Sequence, residues 1–283
     1  MSGASDTILS AAKRCIVTVG YALKRLTRPI QSYGAQPWRI GFPWFDDPQR
    51  LAVWAAVVVA VVVFGIVLID AAAANATHHL AHFVVEFFDW ITDFGKSGWF
   101  LWPLGLLFLA LAALPQNISA MSRAVQAALM VRVGFLFVAI GAPGLFAAIV
   151  KNMIGRARPG VGGSVDPYLF DPFYWTPTYA SLPSGHGTAA FAVLAAFATL
   201  FPRARTVLLI YALLILVSRV VLRAHYPTDV ALGALTGIIG VLLVRRWFAL
   251  QRLGFSISAD GRLVQYPGPS LRRLKSVARE LLA

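Results

Sequence analysis

The stretch Ser218-Arg219-Val220-Val221-Leu222-Arg223-Ala224-His225-Tyr226-Pro227-Thr228-Asp229 decides how the rest of the chain is read. It begins inside an apolar run, 207–222, and gives way to another at Val230. An Arg and a Ser at the end of a membrane-length segment are costly unless something anionic or polar awaits them. Pro227 suits the first position of a new helix, which puts Asp229 in its first turn and His225 just ahead of it. A His beside a carboxylate holds one imidazole tautomer and leaves the other nitrogen as base or nucleophile. The alternative is a buried His with a helix-capping Asp, and the stretch alone does not separate the two.

Composition sets the surroundings. Of the 283 residues 58% are hydrophobic and 13% charged, and the mean hydropathy is +0.71. Soluble domains carry about a quarter charged residues, so this reads as an integral membrane protein. The net charge of +13 would suggest nucleic acid in a soluble chain, but its distribution points to membrane topology and against a nucleic-acid partner. The single cysteine, Cys15, excludes an internal disulfide. The basic first 50 residues do not resemble a signal peptide.

Residues 8–28 fit an amphipathic helix, with Ile8, Cys15, Ile16 and Val19 on one face and Lys13, Arg14 and Lys24 on the other. That pattern suits an anionic membrane surface; a basic disordered arm is the alternative. Residues 29–50, with four prolines, read as a linker. Six spans are expected at 51–69, 97–114, 124–150, 185–201, 206–222 and 229–248. An interfacial helix is expected within 71–96, where His78, His79 and His82 make a metal site conceivable but lack the His-Glu-x-x-His pattern. The tail 249–283 is basic, with a helix expected from about Ser270. The chain thus divides into a basic segment and linker (1–50), a six-span domain (51–248) and a basic tail (249–283).

Six spans put both termini on one side. All but six of the 25 Lys and Arg fall there, and the positive-inside rule makes that side the cytoplasm. The exceptions are Lys96, Lys151, Arg156, Arg158, Arg219 and Arg223. Such a basic group on the wrong side for topology calls for another purpose.

Three segments converge on that outer side. In Lys151-x6-Arg158-Pro159 the gap is two helical turns, so both cations should project from one helix face before Pro159 ends it. In Pro183-Ser184-Gly185-His186, Ser184 is a good N-cap, Gly185 exposes backbone N–H groups at a helix N-terminus, and His186 lies in the first turn. The third segment is the opening stretch. Together they offer Lys151, Arg158 and Arg219 as cations, Ser184 and local N–H groups as donors, and two histidines. A phosphate ester is the natural occupant. One His can attack phosphorus while the other protonates the leaving oxygen. No carboxylate cluster of the Mg²⁺-binding kind and no P-loop pattern accompany them. Fixed cations would then stabilise the charge, with no metal and no cofactor.

Lys-x6-Arg-Pro, Pro-Ser-Gly-His and Ser-Arg-x5-His-x3-Asp, in that order, resemble the three signatures of the type 2 phosphatidic acid phosphatase superfamily. The resemblance covers about 51–248. It implies an all-α, polytopic, six-transmembrane-helix bundle with a phosphatase/haloperoxidase-like core and a site near the outer membrane face. It also implies that His225 is the nucleophile, forming a phosphohistidine, that Asp229 orients it, and that His186 protonates the leaving group. Lys151, Arg158, Ser184, Gly185 and Arg219 would hold the phosphoryl oxygens. The expected activity is metal-independent removal of a terminal phosphate from a membrane lipid: phosphatidylglycerophosphate, phosphatidic acid, undecaprenyl pyrophosphate or a lipid A phosphate. A phosphotransferase using a polyprenyl pyrophosphate donor is one alternative, and a non-enzymatic lipid-phosphate binder another. High Val, Ala, Leu and Arg suggest a bacterial inner membrane. The sequence leaves oligomeric state open.

Other outer-side residues have two readings each. Arg156 and Arg223 either steer an anionic headgroup or are solvated. Asp166 and Asp171 read as loop solvation more readily than as cation ligands. Tyr168, Phe170, Phe173, Tyr174, Trp175 and Tyr179 suit the headgroup level or a lid.

Overall fold

The computed structural model describes residues 47–114, 118–258 and 261–282. The amphipathic segment expected at 8–28, and most of the linker, lie outside them. The described chain is mostly helical: α1 (Pro48–Gly65), α2 (Ala71–Ala76), α3 (His82–Thr92), α4 (Gly98–Ala113), α5 (Ala120–Ile154), α6 (Gly185–Leu200), α7 (Arg205–Val221), α8 (Pro227–Leu250) and α9 (Leu271–Leu282). A short antiparallel hairpin, β1 (Phe255–Ile257) and β2 (Leu263–Gln265), pairs Ser256 with Val264 at its centre.

Among the described residues, five helical stretches are long and apolar enough to cross a membrane: Pro48–His79, His82–Ala113, Ala120–Ile154, Pro202–Val221 and Pro227–Leu250. The remaining expected span is α6, with 16 residues. At 1.5 Å per residue it is about 24 Å long, short of a hydrocarbon core about 30 Å thick. Ser184 caps its start. Within the mixed segment, 71–79 continues the first helical stretch, while α3 runs into α4 through the 3₁₀ turn Asp93–Gly95, making one stretch where a separate interfacial helix and span were expected.

The chain forms two compact units. Of the described residues, the larger comprises 47–101 and 138–245 and the smaller 102–114, 118–137, 246–258 and 261–282. In the larger, α3, α6, α7 and α8 enclose a core of Ile91, Ala190, Phe191, Ala212, Ile215 and Ala234. Small residues set how closely α6 and α8 approach. A Cβ on Gly233 would lie 2.5 Å from the Ser184 carbonyl oxygen, and one on Gly237 2.5 Å from that of Thr188. Gly233-x3-Gly237 is therefore a membrane-type close-packing face. Gly237→Val is expected to destabilise the fold by about 3 kcal/mol or more, read as a lowered thermal midpoint in detergent.

α1 begins with the Asp47 carboxylate capping the Gln49 and Arg50 amides at 2.9 and 3.4 Å. Most of the helix faces outward. A π-helical turn, Ile66–Asp70, follows it, and here the chain turns inward: Gly65, Asp70 and Ala74 are buried. A Cβ on Gly65 would stand 2.6 Å from Thr228 Cγ2, so the first span meets α8 at the level of the third motif.

In the smaller unit Phe135 is fully buried and packs edge-on against Phe248 and Phe255, at 5.4 and 4.9 Å between centroids. Arg132 donates to the Tyr266 carbonyl at 2.9 Å. The Glu280 carboxylate of α9 accepts from the Ser119 hydroxyl at 2.8 Å and from Ser122, fastening the tail helix to the start of α5.

Candidate active site

All three motif segments lie in the larger unit. α7 ends at Val221, and the Ala224 and His225 amides both donate to the Arg219 carbonyl, at 3.1 and 3.2 Å. The turn carrying His225 is thereby hung on the residue that supplies a site cation. Pro227 starts α8, as its fixed φ favours, and Asp229 sits in the first turn. The Asp229 carbonyl accepts the Ser184 amide at 2.9 Å, and the Ser184 hydroxyl caps α6 by accepting from the Gly187 amide at 3.3 Å. That capping bond uses an oxygen lone pair and leaves the hydroxyl proton available for a ligand.

The first motif departs from the expected geometry. Lys151 and Arg158 do not share a helix face: α5 ends at Ile154, and Gly155 adopts φ +64°. A Cβ at Gly155 would fall 1.9 Å from the Asp171 carbonyl oxygen, so only glycine lets the loop cross there. Residues 156–158 then run extended. The Ala157 amide donates to Leu169 and that of Arg158 to Thr178, each at 2.9 Å. Lys151 and Arg158 still lie within electrostatic reach of each other.

Arg156 is not free to steer a headgroup, whereas Arg223 is exposed. The Arg156 side chain is fully buried. Its Nη1 donates to Asp229 Oδ1 and its Nη2 to Asp70 Oδ2, both at 2.7 Å, and it also reaches Thr228 Oγ1 and the Pro167 carbonyl. The Tyr226 ring lies 4.4 Å from its guanidinium carbon. Arg223 contacts His78 Nδ1 at 2.6 Å. His82 pairs with Glu86 at 3.1 Å, and among the described residues no group of three or more His, Cys, Asp or Glu is placed to hold a metal.

Around His225 the contact with Asp229 runs through a residue that the sequence did not single out. Ser181 donates its hydroxyl to Asp229 Oδ2 at 2.6 Å and lies 3.3 Å from His225 Nδ1. His225 and Asp229 themselves are 3.8 Å apart, beyond a hydrogen bond. Asp229 Oδ2 also accepts the Tyr226 amide at 2.9 Å. Burial holds the His225 imidazole below its ordinary pKa. Asp229 opposes that effect, while Arg219 and Arg158 reinforce it. Ser181→Ala is expected to lower kcat about tenfold with little change in KM, as read by steady-state kinetics.

Arg219 is nearly buried and donates from Nη1 to Thr92 Oγ1 at 2.7 Å. The Nε groups of Arg158 and Arg219 are both buried without a hydrogen-bond partner. Buried guanidinium donors of this kind call for an anion. His186 lies within electrostatic reach of His225, Arg158, Arg219 and Lys96. Gly95 approaches its ring so closely that a Cβ there would be 2.9 Å from Cδ2. Thr92 and Lys96 thus join the site from the stretch before α4. Lys96 was marked in the sequence as one of the six outer-side cations, whereas Thr92 had only its place in the mixed segment 71–96.

Fold and site define a helical membrane phosphatase. The PAP2 superfamily model matches residues 132–253. A protein of Rhizobium johnstonii named lipid A 1-phosphatase is 33% identical over 230 residues, covering 79% of this chain and 91% of that protein. A protein of the same name from Rhizobium etli is 33% identical over 215 residues, covering 76% and 92%. The crystal structure of Aquifex aeolicus LpxE is similar with a TM-score of 0.44 at 23% identity, covering 62% of this chain and 93% of that one. The chain belongs to the PAP2 superfamily.

Proposed function

We propose that the protein removes the terminal phosphate of a membrane lipid through a phosphohistidine at His225, and that lipid A phosphate is its substrate. The observation carrying this reading is the buried, partnerless guanidinium N–H groups of Arg158 and Arg219 beside a histidine held by Ser181 and Asp229. The names of the two Rhizobium relatives favour lipid A among the lipid phosphates the motifs would accept.

With the Ser181 hydroxyl donating to Asp229, its oxygen would accept from Nδ1–H of His225. Nε2 keeps its lone pair and attacks phosphorus in line with the lipid oxygen. The P–O bond to the lipid breaks as the P–N bond forms. His186 delivers a proton to the departing oxygen, then takes one from the water that hydrolyses the phosphohistidine, returning both histidines to their starting state. Lys151, Arg158, Arg219, the Ser184 hydroxyl and the amides at Gly185 hold the phosphoryl oxygens and stabilise the charge on the five-coordinate phosphorus. The chemistry needs neither metal nor cofactor.

The reading places the protein in the inner membrane of a bacterium, multi-pass, with its site toward the periplasm and both termini in the cytoplasm. Its basic 8–28 segment would rest on anionic lipid, and the substrate would enter from the outer leaflet. The test is phosphate release from lipid A 1-phosphate, phosphatidic acid and undecaprenyl pyrophosphate in detergent with EDTA. Release chiefly from lipid A, undiminished by the chelator, is expected. Strict dependence on Mg²⁺ would contradict the mechanism, and preference for another lipid would contradict the substrate.

A further inference from the structure

One buried arginine between two buried carboxylates is more than the mechanism above requires. Asp70, Arg156 and Asp229 are all fully buried. Asp70 Oδ2 accepts from Arg156 at 2.7 Å and from the Thr228 hydroxyl at 2.5 Å, while Oδ1 accepts the Thr228 amide at 3.1 Å. Asp70 thus touches the residue beside Asp229 and the guanidinium bound to Asp229, but not His225.

The charges explain the third member. Arg156 alone with Asp229 would be a neutral pair. A neutral pair gives little support to an imidazole that becomes cationic when it bonds to phosphorus. Asp70 restores one net negative charge to the group behind His225. It comes from the first span, which turns inward at the π-helical turn ending in Asp70 itself.

We propose that Asp70 is a positioning residue that, acting through Arg156, sets the net charge of the Asp229 group behind His225. The inference rests on the reading of His225 as the nucleophile. The other charged or titratable groups acting on His225 are Arg158 and Arg219, which disfavour its cation, and His186 of α6. These stay unchanged in the variants below.

The test measures the His225 imidazole titration by NMR on the full-length, ¹⁵N-histidine-labelled protein in detergent micelles, with the resonance assigned by its loss in His225→Gln. The pH profiles of kcat and kcat/KM are recorded alongside. Asp70→Asn leaves the group neutral, so the His225 titration and the acid limb of kcat should move to lower pH by about one unit. Arg156→Gln leaves two negative charges, and both should move to higher pH. Asp70→Asn/Arg156→Gln has the wild-type net charge and should return both toward the wild-type position. A merely structural network would not give shifts of opposite sign with restoration in the double variant. Same-signed shifts, no shifts, or a double variant that stays with either single variant overturn the inference, as does loss of the fold in all three. Opposed shifts together with an active His225→Gln would keep the charge inference and discard the nucleophile reading.

Discussion

His225→Gln is expected to abolish turnover, by about 10⁵-fold, while the protein stays folded in the membrane. Glutamine is close to histidine in length, and its amide can still reach the Ser181 hydroxyl that lies 3.3 Å from Nδ1 in the wild type. The turn itself is held by backbone bonds to the Arg219 carbonyl, which the substitution leaves in place. What is lost is the nitrogen lone pair: Ser181 is engaged with Asp229, and His186 belongs to the first turn of α6. Thermal unfolding in detergent should move by no more than a few degrees, with phosphate release at the uncatalysed level. The sensitivity to acid has a matching sign. Burial favours the neutral imidazole, so the nucleophile is available at neutral pH, and the depressed value carries the acid limb below the ordinary histidine value of about 6.5.

Arg219→Ala should cost about 10²–10³ in kcat/KM, the second-largest effect. The side chain is nearly buried, is anchored on Thr92 and keeps its Nε without a partner. In the proposed mechanism the phosphoryl oxygens are held by fixed cations, and Arg219 is one of the cations in electrostatic reach of both histidines. Arg219→Lys should recover only part of the loss, since an ammonium has one centre where the guanidinium offers a fork. Steady-state kinetics on the two variants decide this. Equal rates for Arg219→Ala and wild type would remove Arg219 from the phosphate site.

Much of this was legible in the chain. The apolar runs marked membrane-length helices because a membrane imposes length and hydrophobicity together, with five of the six expected spans long enough among the described residues, and the helix starts at Pro227 and Gly185 followed from proline geometry and a serine cap. The motif residues stood out in the sequence because most pair a polar group with an expected helix end. What escaped depends on contacts far apart in sequence. Asp70 reads as the polar end of a span and Arg156 as one more outer cation, and nothing local says that they meet across 86 residues. Ser181 stands before a proline with no pattern to mark it. The Lys151–Arg158 spacing suggested one helix face, but Gly155 ends the helix because the Asp171 carbonyl crosses where a side chain would be. The 255–265 hairpin is too short for its alternation to register.

The most direct measurement of the central claim is a rapid-mix experiment with lipid A carrying a radiolabelled 1-phosphate, quenched in alkali during turnover. A phosphohistidine survives alkali and is lost in acid. The account predicts base-stable, acid-labile label on the peptide containing His225 in the wild type, and none in His225→Gln. Turnover without any protein-bound label, or label on another residue, would contradict it.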